Sequence, residues 1–213
     1  MRDRGQPGAG LMRALALLLL VPLVAACAGG PRVTAPPEVV ARATHVNGGP
    51  AEITLLTVVN NRTGAGDHSA LVIAGSQRVL YDPAGSFVHP RTPRSGDVLY
   101  GLSPALETIY LGYHARETHH VISQTIPVDR ATADAAIATA ERLPTAGPGF
   151  CAVRTAAVLR SVPGLEGLPS SFFPRRLSES LAAATGTPVR QIFVEDIPPA
   201  ARTRGPDDPV PAS

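Results

Sequence analysis

The chain predicts an α+β domain. Most β-rich runs come early and are joined by short turn clusters, while helical runs are interspersed among them. That order does not repeat as βαβ units, so a parallel doubly wound sheet is not expected. The length of 213 residues suits one core with tails.

Taken in order, residues 52–60 (Glu-Ile-Thr-Leu-Leu-Thr-Val-Val-Asn) form a β-rich run, followed by a turn cluster from Asn60 to Asp67. Runs 68–74 and 78–82 flank Gly75 and Ser76 and predict a hairpin. Ser69 to Ile73 is apolar on both faces, the mark of a central buried strand. A short strand is expected over 96–102, then a helix over 104–113 capped by Ser103. Alternation and β-branching predict a strand over 118–128. Asp129 caps an Ala-rich helix over 130–143 that Pro144 ends. After Gly147-Pro148-Gly149-Phe150, Cys151 opens a helix running to Val162. A further helix over 174–185 is closed by Gly186, and 189–195 is the last strand.

The two ends differ from this middle. Residues 1–13 are polar and basic, and Ala14 to Ala26 is an apolar run too short to span a bilayer but suited to a signal-peptide core. It ends in Val24-Ala25-Ala26-Cys27, which resembles the lipobox of bacterial lipoproteins. That resemblance implies cleavage of residues 1–26, acylation of Cys27 by fatty acyl groups such as palmitate, and a lipid-anchored place in the cell envelope. Ala28 after the lipid site favours the outer membrane, with the domain in the periplasm. Residues 27–50 are rich in Gly, Pro, Ala and Val and are expected as a flexible tether. Residues 198–213 are Pro-rich and expected to be disordered, which leaves a domain at 51–197.

Composition excludes several functions. All 19 basic residues are Arg, so lysine chemistry and a Walker-A loop are absent. Without the leader, arginines balance carboxylates, and nothing argues for nucleic acid as a partner. No cofactor motif stands out. With Cys27 acylated, Cys151 has no partner for a disulfide, so it is either buried or has a task.

Cys151 at a helix N-terminus faces unpaired N–H groups and the positive end of the helix dipole, both of which favour a thiolate. Gly147 and Gly149 let the preceding backbone come close to a carbonyl substrate. His68 begins a buried strand after a Gly-rich loop, so its ring belongs at a sheet end beside a cleft. The pair is a candidate nucleophile and base.

The order Asp67-His68-Ser69-Ala70-Leu71-Val72-Ile73, hairpin, helix, then Gly149-Phe150-Cys151-Ala152-Val153-Arg154 resembles the circularly permuted papain-like proteins of the NlpC superfamily, which include the lecithin-retinol-acyltransferase-like branch. Phe173-Pro174-Arg175-Arg176-Leu177 leading into a helix fits the same group. The resemblance spans roughly residues 52–195. It implies a central antiparallel sheet with helices packed against it, Cys151 as nucleophile, His68 as base and a third polar residue orienting the ring. A two-residue Gly75-Ser76 loop would put Tyr81 on the face of His68. A three-residue loop ending at Gln77 puts Asp82 there, and a carboxylate is the better partner. His120 is the remaining alternative.

Other histidines offer less. His119 and His120 are adjacent on a strand, so they point apart and cannot share an ion, and no metal site is expected. His89 and His114 suggest no role, and Arg175-Arg176 reads as a solvated helix start. The expected activity is a thiol hydrolase or acyltransferase acting on an amide or ester carbonyl of a cell-wall peptide or a lipid. The competing expectation is a non-catalytic envelope lipoprotein that uses the fold for binding or assembly, which the low aromatic content of 4% favours.

Overall fold

A computed structural model describes residues 33–202. The leader, Cys27 and residues 203–213 lie outside the described residues. Among those described, seven strands form one antiparallel sheet and five α-helices cover it, a mixed α+β architecture. In chain order the elements are α1 (Pro37–Ala43), β1 (Glu52–Asn60), β2 (Gly66–Ala74), β3 (Arg78–Tyr81), β4 (Arg94–Ser95), β5 (Val98–Tyr100), α2 (Pro104–His114), β6 (His119–Pro127), α3 (Arg130–Arg142), α4 (Cys151–Leu159), α5 (Pro174–Thr185) and β7 (Arg190–Ile192). The spatial order is β4-β5-β3-β2-β1-β6-β7.

The sheet's period of two sorts its side chains into two cores. Ile53, Leu55, Leu71, Ile73, Val79 and Tyr81 point to one face, where α3, α4 and α5 supply Ala133, Ile137, Ala152, Leu159, Leu177 and Leu181. Leu56, Val58, Ala70, Val72 and Leu80 point to the other, covered by Leu106, Ile109, Tyr110 and Tyr113 of α2. Central β1 is buried along seven of its nine residues, which is why its sequence reads as a continuous apolar run. Ser103 accepts from the Leu106 backbone N–H and Asp129 from that of Thr132, so both expected caps are in place. The α4 helix stops at Leu159, short of the expected Val162, and β7 spans three residues rather than seven.

Both expected tails need correction. Residues 33–50, taken as part of the tether, run along the domain. Thr34 bridges to Ser95, the Ala35 N–H donates to the Arg94 carbonyl at 2.9 Å, and Arg78 donates to the His45 carbonyl at 2.9 Å. Here Pro37 sits at the start of α1, where its missing N–H costs nothing, so a Pro-rich run that looked like a linker opens a helix instead. The segment also gives the edge strand β4 a partner on the side that the sheet leaves open. At the other end residues 199–201 form a 3-10 turn with Ala201 buried against Gly112, and Arg202 donates to the Ile197 carbonyl at 2.7 Å. The domain therefore extends past both expected boundaries, 51 and 197.

Candidate active site

The β2–β3 connection is the three-residue loop Gly75-Ser76-Gln77, because Ala74 pairs with Arg78. Leu71 lies opposite Tyr81, so the next position, Asp82, is level with Ala70 and shares a face with His68. Tyr81 points into the opposite core, and its hydroxyl has no partner. A bulge precedes the histidine: Val58 pairs with His68 but Val59 pairs with Gly66, which makes Asp67 the extra residue. Bulges re-aim side chains at sheet ends.

His68 Nε2 meets Asp82 Oδ1 at 2.7 Å, and the Cys151 thiol stands near enough to raise the pKa of the ring as well. The imidazole is therefore fixed by the carboxylate and coupled to the sulfur. Cys151 is the first residue of α4 and is 6% exposed. No acidic side chain stands in that first turn to offset the helix dipole, and the backbone of Ser69 and Ala152 also favours the thiolate. Burial pushes the thiol pKa up, but the hydrogen bond and charge of His68 outweigh it, and the thiol is held below its ordinary value. Burial likewise opposes protonation of His68, yet Asp82 and then Cys151 raise it to about 10. The direction for both is toward a thiolate–imidazolium pair.

Three residues that the sequence did not single out complete the arrangement. Arg94 Nη2 donates to Asp82 Oδ2 at 3.0 Å, and the Tyr110 hydroxyl donates to Oδ1 at 2.9 Å. Asp82 is fully buried; burial alone would raise its pKa, but His68 and Arg94 hold it well below the usual carboxylate range. Gly85 is the third: a Cβ there would lie between 1.9 and 2.2 Å from the carboxyl atoms of Asp82. The turn that brings it in holds Ala84 at φ 57°, a left-handed conformation rare outside glycine.

His114, to which no role was assigned, stacks on His68 with ring centroids 5.4 Å apart and planes 20° from parallel. Its Nε2 is buried without a partner. Burial, followed by the neighbouring His68 charge, lowers its pKa to about 3, so it stays neutral. One nitrogen of each histidine and one Asp82 oxygen lie within 4.8 Å of one another. Such a trio could in principle hold a cation, but Asp82 already accepts from His68, Tyr110 and Arg94, and the guanidinium repels a metal ion. The donor set fits a proton relay better than a metal site.

Other expected participants lie apart. His120 Nδ1 meets Asn61 Oδ1 at 2.7 Å and its ring stacks on Phe193, so it does not orient His68. His119 meets Asp67 at 2.9 Å. Arg176 lies over the Phe173 ring, 5.3 Å from its centroid, and Arg175 pairs with Glu179 at 3.2 Å.

Two clefts flank the relay. One of about 220 Å³ opens beside His68 and is lined by Asp67, Ser86, Tyr113, Arg116 and His119. Another of about 250 Å³ lies between Val33, Gly85, Arg94, Asp97, Thr145 and Pro148. The 83–86 turn separates them. The arrangement can generate a nucleophilic sulfur and hold a proton donor, the His68 imidazolium, nearby. No family model, curated protein or solved structure matches the chain.

Proposed function

We propose that the chain is a lipid-anchored envelope protein with a permuted papain-like domain, acting as a thiol hydrolase or acyltransferase on an amide or ester carbonyl. The observation that carries this reading is the His68 imidazole fixed on the buried Asp82 carboxylate and coupled to the thiol of Cys151 at the start of α4. The order of His before Cys, the start of a helix at Cys151 and the antiparallel sheet packed by helices support it.

In this mechanism the Cys151 sulfur adds to the carbonyl carbon, and the carbonyl π electrons move onto oxygen. The free N–H groups at the start of α4, that of Cys151 first, face the oxyanion. Collapse breaks the bond to the leaving amine or alcohol, which takes a proton from His68 and leaves a thioester on Cys151. His68 then removes a proton from water, or from an acceptor alcohol or amine, whose oxygen or nitrogen adds to the thioester. The second collapse releases the acyl product and the thiolate. Asp82 orients the ring and stabilises the imidazolium without taking its proton. A cell-wall peptide or a lipid is the acyl donor that the envelope location offers. Acylation at Cys27 is checked by mass spectrometry of the membrane fraction; a mature N-terminus elsewhere contradicts the anchor.

The test of the chemistry is alkylation of Cys151 by iodoacetamide across pH. A paired thiolate reacts well below the pH at which an ordinary thiol does, near its pKa of about 8.5. His68→Ala moves the profile back up, because the imidazolium is lost while the helix dipole remains. A thiol unreactive until denaturant is added, with or without His68, ends the enzyme reading and leaves the binding module.

A further inference from the structure

The surface next to the thiol is unusually apolar for this chain. Of its five phenylalanines, three gather there. Phe150 directly precedes Cys151, and its ring meets that of Phe172 edge-on at 5.2 Å. Phe172 and Phe173 are 59% and 61% exposed. They lead into α5, which begins so close to Gly66 that a Cβ there would lie 2.5 Å from the Arg175 backbone nitrogen. The pair therefore stands at the His68 end of the sheet, beside Arg175 and Arg176. Burial does not explain two bare aromatic rings on a water-facing loop, and the cation over Phe173 keeps a positive charge at the same place.

The chain's path adds a second, independent observation. Because residues 33–50 pack against the domain, only residues 28–32, five in number, lie between Cys27 and the fold, a reach of about 20 Å from Cys27 to Val33 when fully extended. Val33 lines the same cleft as Pro148, two residues before Phe150. A lipid on Cys27 thus brings the bilayer to within about 20 Å of the cleft mouth, on the side where Phe150 and Phe172 stand. No helix among the described residues is long and apolar enough to cross a membrane, so contact with the bilayer would be at its surface.

From these we infer that the face formed by Phe150, Phe172 and Phe173, with Arg175 and Arg176, lies against an anionic lipid surface, the two exposed rings entering the interface and the guanidinium groups meeting headgroup phosphates. Apolar rings with flanking cations are the side chains that favour that boundary. Docking would set the Cys151 end of α4 facing the membrane rather than open water. The geometry rests on the lipid-anchor reading, while the binding itself does not.

The chain contains no Trp, so Phe172→Trp introduces the single indole of the molecule. The protein begins at position 27 and carries Cys27→Ser, so that no lipid holds it, and it retains every described residue. On vesicles of phosphatidylglycerol and phosphatidylcholine, the indole emission should shift to the blue and become shielded from an aqueous quencher. Val46→Trp is the control: Val46 is 73% exposed and bridges to Gln77 at the far end of the sheet, so its emission should not move. Phe172→Asp with Phe173→Asp should weaken partitioning at least about tenfold, since both rings lose their apolar burial in the interface. Arg175→Gln with Arg176→Gln should weaken it on anionic vesicles more than on neutral ones.

Equal shifts at positions 172 and 46, or none at 172, overturn the inference. So does a shift that follows protein concentration without vesicles, which would mean that a second copy of the chain covers the face. Cys151→Ala should bind vesicles as the parent does, so a failed thiol reading and a failed docking face give different results.

Discussion

The β2–β3 pair is closed at each end by an aspartate against a glycine, and the two ends have opposite characters. At the turn, Asp134 accepts from the Ser76 N–H and hydroxyl, both at 2.7 Å, and stands partly in water. A Cβ on Gly75 would lie 2.1 Å from its Oδ1. At the other end Asp82 is sealed from water and accepts from His68, Tyr110 and Arg94. The backbone device is the same, but the surroundings are not. Near water the carboxylate fastens a loop through two modest hydrogen bonds. Inside, it cannot be left unpaired, and its partners become a charged relay aimed at a thiol.

The largest difference should appear when each aspartate loses its charge. Asp82→Asn leaves Arg94 without a counter-charge in a buried site and removes the group that keeps His68 protonated, a loss of about 3–5 kcal/mol by analogy with broken buried pairs. The Cys151 alkylation profile should also move up the pH scale, because His68 would no longer hold its proton. Asp134→Asn keeps an oxygen acceptor and should cost under about 1.5 kcal/mol. Urea unfolding of the two variants decides the matter, and equal losses would remove the distinction between the ends.

The glycines give the next test. Gly85→Ala drives a methyl group into a carboxylate pinned by three partners, so backbone or relay must yield. Overpacking of this kind costs about 1–3 kcal/mol, and thiol reactivity should fall at least tenfold. At Gly75 the nearest atom is the tip of a partly exposed side chain that can swing aside, and the Asp134 backbone nitrogen at 3.1 Å must give by only a few tenths of an ångström. Gly75→Ala should therefore cost about 1 kcal/mol, mainly the turn's hydrogen bonds. Its thiol reactivity should stay at the parental level. A Gly85→Ala protein with parental alkylation kinetics would show that Asp82 does not set the thiol's state.

How much of this was legible depends on how local the cause is. Strand β1, both side-chain caps and the glycine that closes α5 follow from periodicity and capping chemistry, and these are in the fold as expected. His68 and Cys151 were legible because each sits at a boundary, a strand after a Gly-rich loop and a helix start. Asp82 needed one more fact, the loop length of the hairpin, because a single residue of slip moves a side chain to the other face. Arg94, Tyr110 and His114 were not legible. Each lies on an element whose position relative to β2 is fixed only by tertiary packing, and no local pattern marks them. The tether reading failed for a different reason. Composition cannot tell a Pro-rich linker from a Pro-started helix when what orders it is the unpaired edge of a distant strand.

The pH dependence of stability sharpens the contrast at the site end. His68 has a raised pKa, so its contribution is complete below its ordinary value of about 6.5 and is lost as pH climbs to about 10. Cys151 has a lowered pKa, so its contribution is complete above about 8.5 and is lost as pH falls. Between about 6.5 and 8.5 the two slopes oppose each other, and above that only the loss from histidine remains. The melting temperature should therefore hold near neutral pH and decline between about 8.5 and 10. His68→Gln should flatten that decline relative to its own neutral value. An alkaline slope unchanged by that substitution would place its origin elsewhere in the molecule.

The smallest expected effect concerns the ring stacked on His68. His114 keeps a buried nitrogen without a partner and, with a pKa of about 3, stays neutral where an unfolded chain would take up a proton. For a lowered pKa the contribution is complete above the ordinary value, about 6.5, and is lost as pH falls toward 3. His114→Phe retains a flat ring against His68, Tyr110 and Tyr113, while removing both the orphaned nitrogen and the acid-side loss. Removing an unmatched buried polar atom is worth about 1 kcal/mol where the replacement fits. The gain should therefore be modest at pH 7 and larger at pH 4.5, as read from melting temperatures at both. A comparable substitution at the turn, Ser76→Ala, should behave oppositely and cost stability at both pH values, since it takes away one of the two bonds to Asp134. A His114→Phe protein less stable than the parent at both pH values would mean that the nitrogen is matched in solution, by water or by a ligand, and that the site end tolerates less unmatched polarity than its geometry indicates.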